Sequence, residues 1–232
     1  MNFIFTEEHI QFKDAIKAFL KDECTPASIR SGWAEKKSFN QNRWKGLEEL
    51  GVLGSNLSEE YGGLGMDQVA LALMVEEMGY VGLPEPVAEQ TFLINDLLHL
   101  LPAEMQKKIQ EHHMSGASYI SVSHPLAPNP LFLNESAGLL LFEEDSYQFV
   151  ARHDLEFEEV ASNDPSRELA KIKSINHSIS STENFEILNS AVSSRGALMT
   201  AAFLVGLSQK MIDLSSAYAL DRTQFGKPIG SF

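Results

Sequence analysis

The stretch DRTQFGKPIGSF, from Asp221 to Phe232, follows a long apolar segment and decides how the rest of the chain is interpreted. Its compact polar and aromatic cluster is Arg222, Gln224 and Phe225. An arginine at a helix C-terminus interacts favourably with the helix dipole. A guanidinium beside an amide and an aromatic ring also suits a nucleotide, because the guanidinium binds pyrophosphate through two hydrogen bonds and the ring offers a face to the base. The residues alone favour the helix-end interpretation and leave the nucleotide interpretation open.

The composition is that of a soluble globular protein and argues against several functions. Hydrophobic residues make up 44% of the 232 residues, charged residues 22%, and the formal net charge is −14. No basic stripe of the kind that binds nucleic acid is visible, so we expect no nucleic-acid partner. The histidine spacings typical of metalloenzymes, the nucleophile elbow of hydrolases and the phosphate-binding loop of kinases are missing from the sequence, so no metal site is predicted.

Cysteine content and apolar segments predict the compartment. The single cysteine, Cys24, allows no internal disulfide, which fits a reducing compartment. The N-terminus lacks a basic region followed by an apolar run, so it does not resemble a secretory signal, and we expect a cytoplasmic protein. The apolar stretch Gly196–Gln209 is shorter than the about 20 residues of a membrane span and contains Thr, Ser and Gln. We therefore predict a buried helix and no membrane span.

The hydrophobic pattern predicts an α+β fold in three parts. Thr6 can cap a first helix, and Gly51 is placed to end a later one. Residue types typical of strands, separated by turn residues, occupy the middle of the chain. The predicted parts are an N-terminal helical domain (1–115), a small middle antiparallel β-domain (116–182) and the first part of a C-terminal helical domain (183–232).

The last part is predicted to be one long helix from about Phe185 to Arg222. It carries two apolar stripes, and a helix that is apolar on two faces needs neighbours on two sides. The stripes are Leu204, Leu207, Met211, Leu214 and Tyr218, and Leu198, Ala202, Val205, Ile212 and Ala219. We expect more helices to follow Phe232, so that this chain would lack most of a C-terminal bundle.

Five segments, in the right order, resemble the acyl-CoA dehydrogenase family. They are WKGLEELGVLG (Trp44–Gly54), EEYGGLG (Glu59–Gly65), EEMG (Glu76–Gly79), DPSR (Asp164–Arg167) and ALDRTQFGKPIGSF (Ala219–Phe232). The last segment is the most specific. The stretch LPEPV (Leu83–Val87) and the ending PIGSF look most like the degenerate, steroid-type members of the family.

The resemblance implies an N-terminal helical domain, a middle β-domain and a C-terminal helical bundle. It also implies FAD-dependent α,β-dehydrogenation of an acyl-CoA thioester, with an electron-transfer flavoprotein as the electron acceptor. In the family, the residues matching Arg222, Gln224 and Phe225 reach across a dimer interface to the partner's FAD. Ser123 is similar to the threonine whose hydroxyl binds the flavin, although a strand-end serine is an equally good interpretation.

Two departures from the family pattern leave the role of this chain open. The segment Ser123–Pro130 lacks the family's Gly-Ser-Asp portion, and its prolines have no N–H to donate. The base that some members carry early in the long helix falls near Arg195–Ala197, where there is no carboxylate, so no catalytic residue is predicted.

Four interpretations remain open at this point. The chain is an acyl-CoA dehydrogenase that forms a homo-oligomer, or a non-catalytic subunit that lends Arg222 to its partner's FAD in a heterotetramer. It is otherwise an inactive remnant whose long helix exposes an apolar stripe, or a binding module unrelated to acyl-CoA.

Overall fold

The computed structural model describes residues 4–113 and 119–232 and confirms the predicted α+β fold. A helical N-terminal half is followed by a small sheet and by one long helix. The α-helices are α1 (Glu7–Glu23), α2 (Pro26–Glu35), α3 (Gln41–Glu49), α4 (Gln68–Val81), α5 (Leu93–Leu97), α6 (Ala103–His113) and α7 (Phe185–Asp221). The strands are β1 (Ile120–Ser123), β2 (Gly138–Phe142), β3 (Tyr147–Ala151), β4 (Leu155–Val160), β5 (Leu169–Ile175), β6 (Ile179–Ser181), β7 (Thr223–Gln224) and β8 (Lys227–Pro228).

Local signals fix the ends of the first helices. The Thr6 hydroxyl accepts a hydrogen bond from the His9 backbone N–H, so Thr6 is the N-cap of α1 as predicted. Gly51 lies just beyond α3 with a φ of +74°, in the left-handed region that favours glycine at a helix end. Gly82 ends α4 in the same way, with a φ of +68°.

The main sheet has the strand order β1–β2–β3–β6 and is antiparallel except at one edge. β2 and β3 pair in opposite directions, as do β3 and β6, in agreement with the predicted antiparallel domain. β1, however, runs parallel to β2, from the pair Ile120 and Gly138 to the pair Ser123 and Leu141. Parallel neighbours need a long connection, and residues 124–137 provide it. β4 and β5 form a separate antiparallel pair.

The buried ion pair between Arg43 and Glu85 fastens α3 to the segment after α4. Nε and Nη2 of Arg43 donate to the two carboxylate oxygens of Glu85, each at 2.7 Å. The backbone N–H of Asn40 also donates to Glu85, at 2.8 Å. Both charged side chains are almost fully buried, so this pair holds the predicted LPEPV segment in place by charge-assisted hydrogen bonds.

α4 and α7 cross with their backbones in unusually close contact. A Cβ atom on Gly206 would lie 1.8 Å from the Glu76 carbonyl oxygen, and one on Gly79 would lie 2.0 Å from the Phe203 carbonyl oxygen. Each helix therefore has a glycine at the point where it meets the other's backbone. These two glycines set the depth at which α7 sits against the N-terminal domain.

The prediction that Gly196–Gln209 is a buried helix is wrong for most of its side chains. Met199 and Gly206 are buried against α4, whereas Leu204 and Val205 are exposed. By length and composition alone α7 could also cross a membrane, a test that core helices of soluble proteins pass as well. The interpretation as an inactive remnant expected an exposed apolar stripe on the long helix. The structure shows such a stripe, because the described part of the chain covers α7 on one side only.

Candidate functional site

The cluster that opened the sequence analysis lies on a small hairpin at the end of α7. Arg222 is the C-cap of α7, and its carbonyl oxygen accepts from the Ile229 N–H at 2.8 Å. β7 and β8 pair through Thr223 with Pro228 and Gln224 with Lys227. Arg222 therefore lies at the helix end, as the helix-end interpretation predicts, and the hydrogen bond there uses its backbone and not its side chain.

Phe225 stands at the tip of this hairpin in a strained conformation. Its φ is +50°, followed by +81° at Gly226, so both central residues of the turn are left-handed. This turn suits a two-residue hairpin, but a bulky residue in that region costs about 1 kcal/mol or more. The ring is 93% exposed and lies edge-on to Phe232. An aromatic face is thus presented to the surroundings at an energetic cost.

Arg222 and Gln224 are exposed beside this ring. The Gln224 amide donates to the neighbouring Thr223 carbonyl at 2.8 Å, which leaves its own oxygen open. Within residues 4–113 and 119–232, no side chain hydrogen-bonds or pairs with the Arg222 guanidinium. The three predicted residues are therefore brought together and are able to contact a nucleotide held by another chain.

Ser123, the fourth predicted residue, is in a very different environment. It ends β1, is only 3% exposed, and donates its hydroxyl to the Pro128 carbonyl oxygen at 3.0 Å. The hydroxyl therefore closes the loop that follows it. Ser123 is buried, whereas Arg222, Gln224 and Phe225 are exposed. The four predicted residues therefore do not share one surface.

The loop after Ser123 uses its backbone donors internally. The N–H groups of His124 and Ala127 donate to each other's carbonyl oxygens, at 3.3 and 2.7 Å. The Leu126 N–H donates to Nδ1 of His124 at 3.2 Å. Pro125, Pro128 and Pro130 have no N–H. A flavin in the predicted place would need donors from this segment, and most of its N–H groups already donate to acceptors within the loop.

His124 ties the same loop to the long helix, a contact that sequence reasoning missed. Because Nδ1 accepts from the Leu126 N–H, the ring proton is on Nε2, which donates to Oδ1 of Asn189 at 2.8 Å. The ring is buried and lies against Phe142. Most N–H groups of Ser123–Pro130 are thus unavailable to a flavin, whereas the hydrogen-bonding groups of the exposed Arg222 cluster remain open to a ligand.

The position predicted to lack a base is occupied by an ion pair. Nη1 of Arg195 lies 3.3 Å from Oδ2 of Asp96, which projects from α5. Asp96 also accepts from the side-chain amides of Asn56 and Gln68. Its oxygens are therefore engaged, and the structure gives no reason to name it a base.

Two further features limit the chemistry of this chain. Within the described part of the chain, no three His, Cys, Asp or Glu side chains are grouped so that they could hold a metal ion. Cys24 is buried beside Arg43, and burial raises the pKa of its thiol to about 11, so it is not a reactive thiolate at neutral pH.

Comparisons with known proteins agree with the fold. Residues 6–117 match the family described as acyl-CoA dehydrogenase, N-terminal domain. The chain is 25% identical over 229 residues to acyl-CoA dehydrogenase IpdE2 of Mycobacterium tuberculosis, covering 97% of this chain and 68% of that protein. It is similar to the ChsE4-ChsE5 complex of Mycobacterium tuberculosis, with a TM-score of 0.84, 18% identity, and coverage of 100% and 72%. A structure described as a steroid ACAD gives a TM-score of 0.80 at 18% identity, covering 97% and 70%.

Proposed function

Because this chain belongs to the acyl-CoA dehydrogenase family, we propose that it is a subunit of a heteromeric acyl-CoA dehydrogenase and presents Arg222, Gln224 and Phe225 to an FAD that its partner subunit holds. The assembly would carry out α,β-dehydrogenation of an acyl-CoA thioester in the cytoplasm and pass electrons to an electron-transfer flavoprotein. When bound, the flavin supplies the acceptor for the hydride that leaves the acyl chain.

One observation carries this proposal: the contrast between the two segments that were predicted to contact the cofactor. The Ser123–Pro130 loop forms hydrogen bonds within itself and to Asn189, so most of its hydrogen-bond donors are already used. The Arg222 cluster is exposed and has unused hydrogen-bonding groups. A chain that cannot cradle a flavin but can touch one fits the role of a donating subunit.

The work of this chain in such an assembly is binding and orientation. The Arg222 guanidinium can form two parallel hydrogen bonds to a phosphate group, which fixes the direction of the nucleotide. The Gln224 oxygen can accept a hydrogen bond, and Phe225 can stack on the adenine. A base is not among the residues that this chain is proposed to supply, so proton removal falls to the partner.

The decisive experiment compares flavin retention by the chain alone and by its complex. Each preparation is mixed with FAD, desalted, and measured by visible absorption. We expect the chain alone to be colourless, and the complex with its partner dehydrogenase subunit to retain flavin. Full flavin occupancy of an assembly made only of this chain would overturn the proposal.

Variants then assign the contact to the hairpin. Arg222→Ala and Phe225→Ala should lower flavin retention in the complex by about tenfold each, since a charge-assisted hydrogen bond and a stacked ring are each worth more than about 1 kcal/mol. Arg30→Ala, which removes an exposed arginine from α2, is the matched control and should retain flavin normally. Size-exclusion chromatography must show that the complex still assembles in all three.

A further inference from the structure

A cleft of about 360 Å³ opens between α5, α7 and the loop that precedes α4. We name it the Arg195 cleft. It is lined by Asn56, Ser58, Glu60, Tyr61, Gly65, Asn95, Asp96, His99 and Arg195. Its volume lies in the range of pockets that bind small organic molecules and exceeds what one or two waters need.

The cleft rests on a rigid polar floor. Asn56 donates to the Phe92 carbonyl oxygen at 2.7 Å and to Asp96 Oδ1 at 2.9 Å. Asn95 donates to the Leu53 carbonyl oxygen at 2.8 Å and to the Asn56 side chain at 2.9 Å. Both asparagines are buried. Each amide is thus fixed in orientation before any ligand arrives.

Two buried groups at the edge of this network have no hydrogen-bond partner. Arg195 Nη1 is in ion-pair contact with Asp96 Oδ2 but makes no hydrogen bond, and Gln68 Oε1 is also unpaired. Gln68 donates through its amide nitrogen to the same Asp96 oxygen, so a single carboxylate oxygen anchors both groups. A buried donor or acceptor left unpaired costs about 1–3 kcal/mol. Of these two residues only Arg195 lines the cleft, and its guanidinium has hydrogen-bonding capacity that the described part of the chain does not use.

The charges around the cleft select against anionic ligands. The positive charge of Arg195 is matched by Asp96, and Glu60 adds a negative charge at the rim. A carboxylate would be repelled by Glu60 and would compete with Asp96 for the guanidinium. An uncharged oxygen, which accepts from a guanidinium without a charge penalty, fits this arrangement.

We propose that the Arg195 cleft binds a small uncharged organic molecule through a hydroxyl or ketone oxygen, with Arg195 as the donor to that oxygen. This binding requires neither the flavin nor the partner subunit, so it stands apart from the role proposed for Arg222.

The test is an NMR titration of the isotopically labelled chain with four probes of similar size. They are cyclohexanol, cyclohexanone, cyclohexanecarboxylate and toluene. We expect shifts in the side-chain amide signals of Asn56 and Asn95 with the first two probes, and dissociation constants at least about tenfold lower than those for the carboxylate and for toluene. Equal binding of toluene, or no shift with any probe because the cleft holds only water, would overturn the proposal.

Variants locate the contact. Arg195→Met keeps the length of the side chain and removes its donors, and it should erase the about tenfold preference for the oxygenated probes. Arg30→Met is the control and should leave the preference unchanged, because Arg30 is exposed on α2. An unchanged preference in folded Arg195→Met would contradict the assignment. The wild-type selectivity decides the proposal even if that variant does not fold.

Discussion

The two halves of α7 have similar apolar sequences and very different surroundings. From Phe185 to Gly206 the helix has buried residues at Leu188, Val192, Met199 and Gly206. Beyond Gly206 every residue to Asp221 is exposed or only partly buried, including Leu214, which is 55% exposed. Hydrophobicity therefore does not decide where this helix is packed. The backbone contact at Gly206 decides it, since this is the last point at which the backbone of α7 lies close to that of α4.

The two candidate sites also lie in different halves of α7. The packed half carries Asn189 and Arg195, which connect to the His124 loop and to the Arg195 cleft. The exposed half carries the Arg222 hairpin at its end. The first half packs against the rest of the chain, and the second half leaves uncovered the surface that the proposed heteromeric assembly would use.

The largest expected effect distinguishes two leucines, one in each half. Leu188→Ala should lower the free energy of unfolding by about 3 kcal/mol, because Leu188 is fully buried and the change leaves a cavity. Leu214→Ala should change it by less than about 0.5 kcal/mol, since its side chain remains largely in water. Urea denaturation of both variants makes the comparison. Equal losses in the two variants would show that the exposed half packs in solution.

The next effect tests the crossing itself. Gly206→Ala should destabilise the fold by about 2 kcal/mol, because the new methyl group would overlap the Glu76 carbonyl oxygen. Gly196→Ala, on the same helix, places its methyl group in open space and should stabilise the fold by about 1 kcal/mol, since alanine is the better helix former. The two changes are chemically identical and have opposite expected signs. Thermal unfolding of the pair measures both, and a Gly206→Ala variant as stable as the wild type would contradict the close crossing.

The sequence predicts the length of α7 but not its surroundings. Its apolar periodicity predicts a helix from about Phe185 to Arg222, and the observed end is one residue earlier. Which face is covered depends on the contact of Gly206 with Glu76, residues far apart along the chain. The glycine in the apolar sequence of each helix, Gly79 in α4 and Gly206 in α7, is a signal of a close helix crossing that the sequence analysis did not use.

The candidate site was predictable to a similar extent. Arg222, Gln224 and Phe225 lie within four positions, so a local motif places them together. The attachment of the Ser123 loop to α7 depends on a hydrogen bond between His124 and Asn189, 65 residues apart, which no local pattern predicts. The prolines did indicate that this loop is short of donors. The pairing of Arg195 with Asp96 joins two elements distant in sequence, and it was missed for the same reason.

The smallest expected effect concerns a hydrogen bond that joins the exposed half of α7 to α4. The Tyr80 hydroxyl donates to Asp213 Oδ2 at 2.8 Å, which lowers the pKa of that carboxyl and raises the pKa of the phenol. The pKa of Asp213 is lower in the folded state than in the unfolded state. The contact therefore stabilises the fold fully at pH values above the unfolded-state pKa, and this stabilisation is lost as the pH falls through the folded-state pKa. Tyr80→Phe should move the pKa of Asp213 back toward its ordinary value, although the Gln209 side chain would still donate to it. Carboxyl NMR titration measures this, with Tyr218→Phe as a control in an exposed tyrosine of the same helix. A pKa of Asp213 that is the same in Tyr80→Phe as in the wild type would contradict this contact.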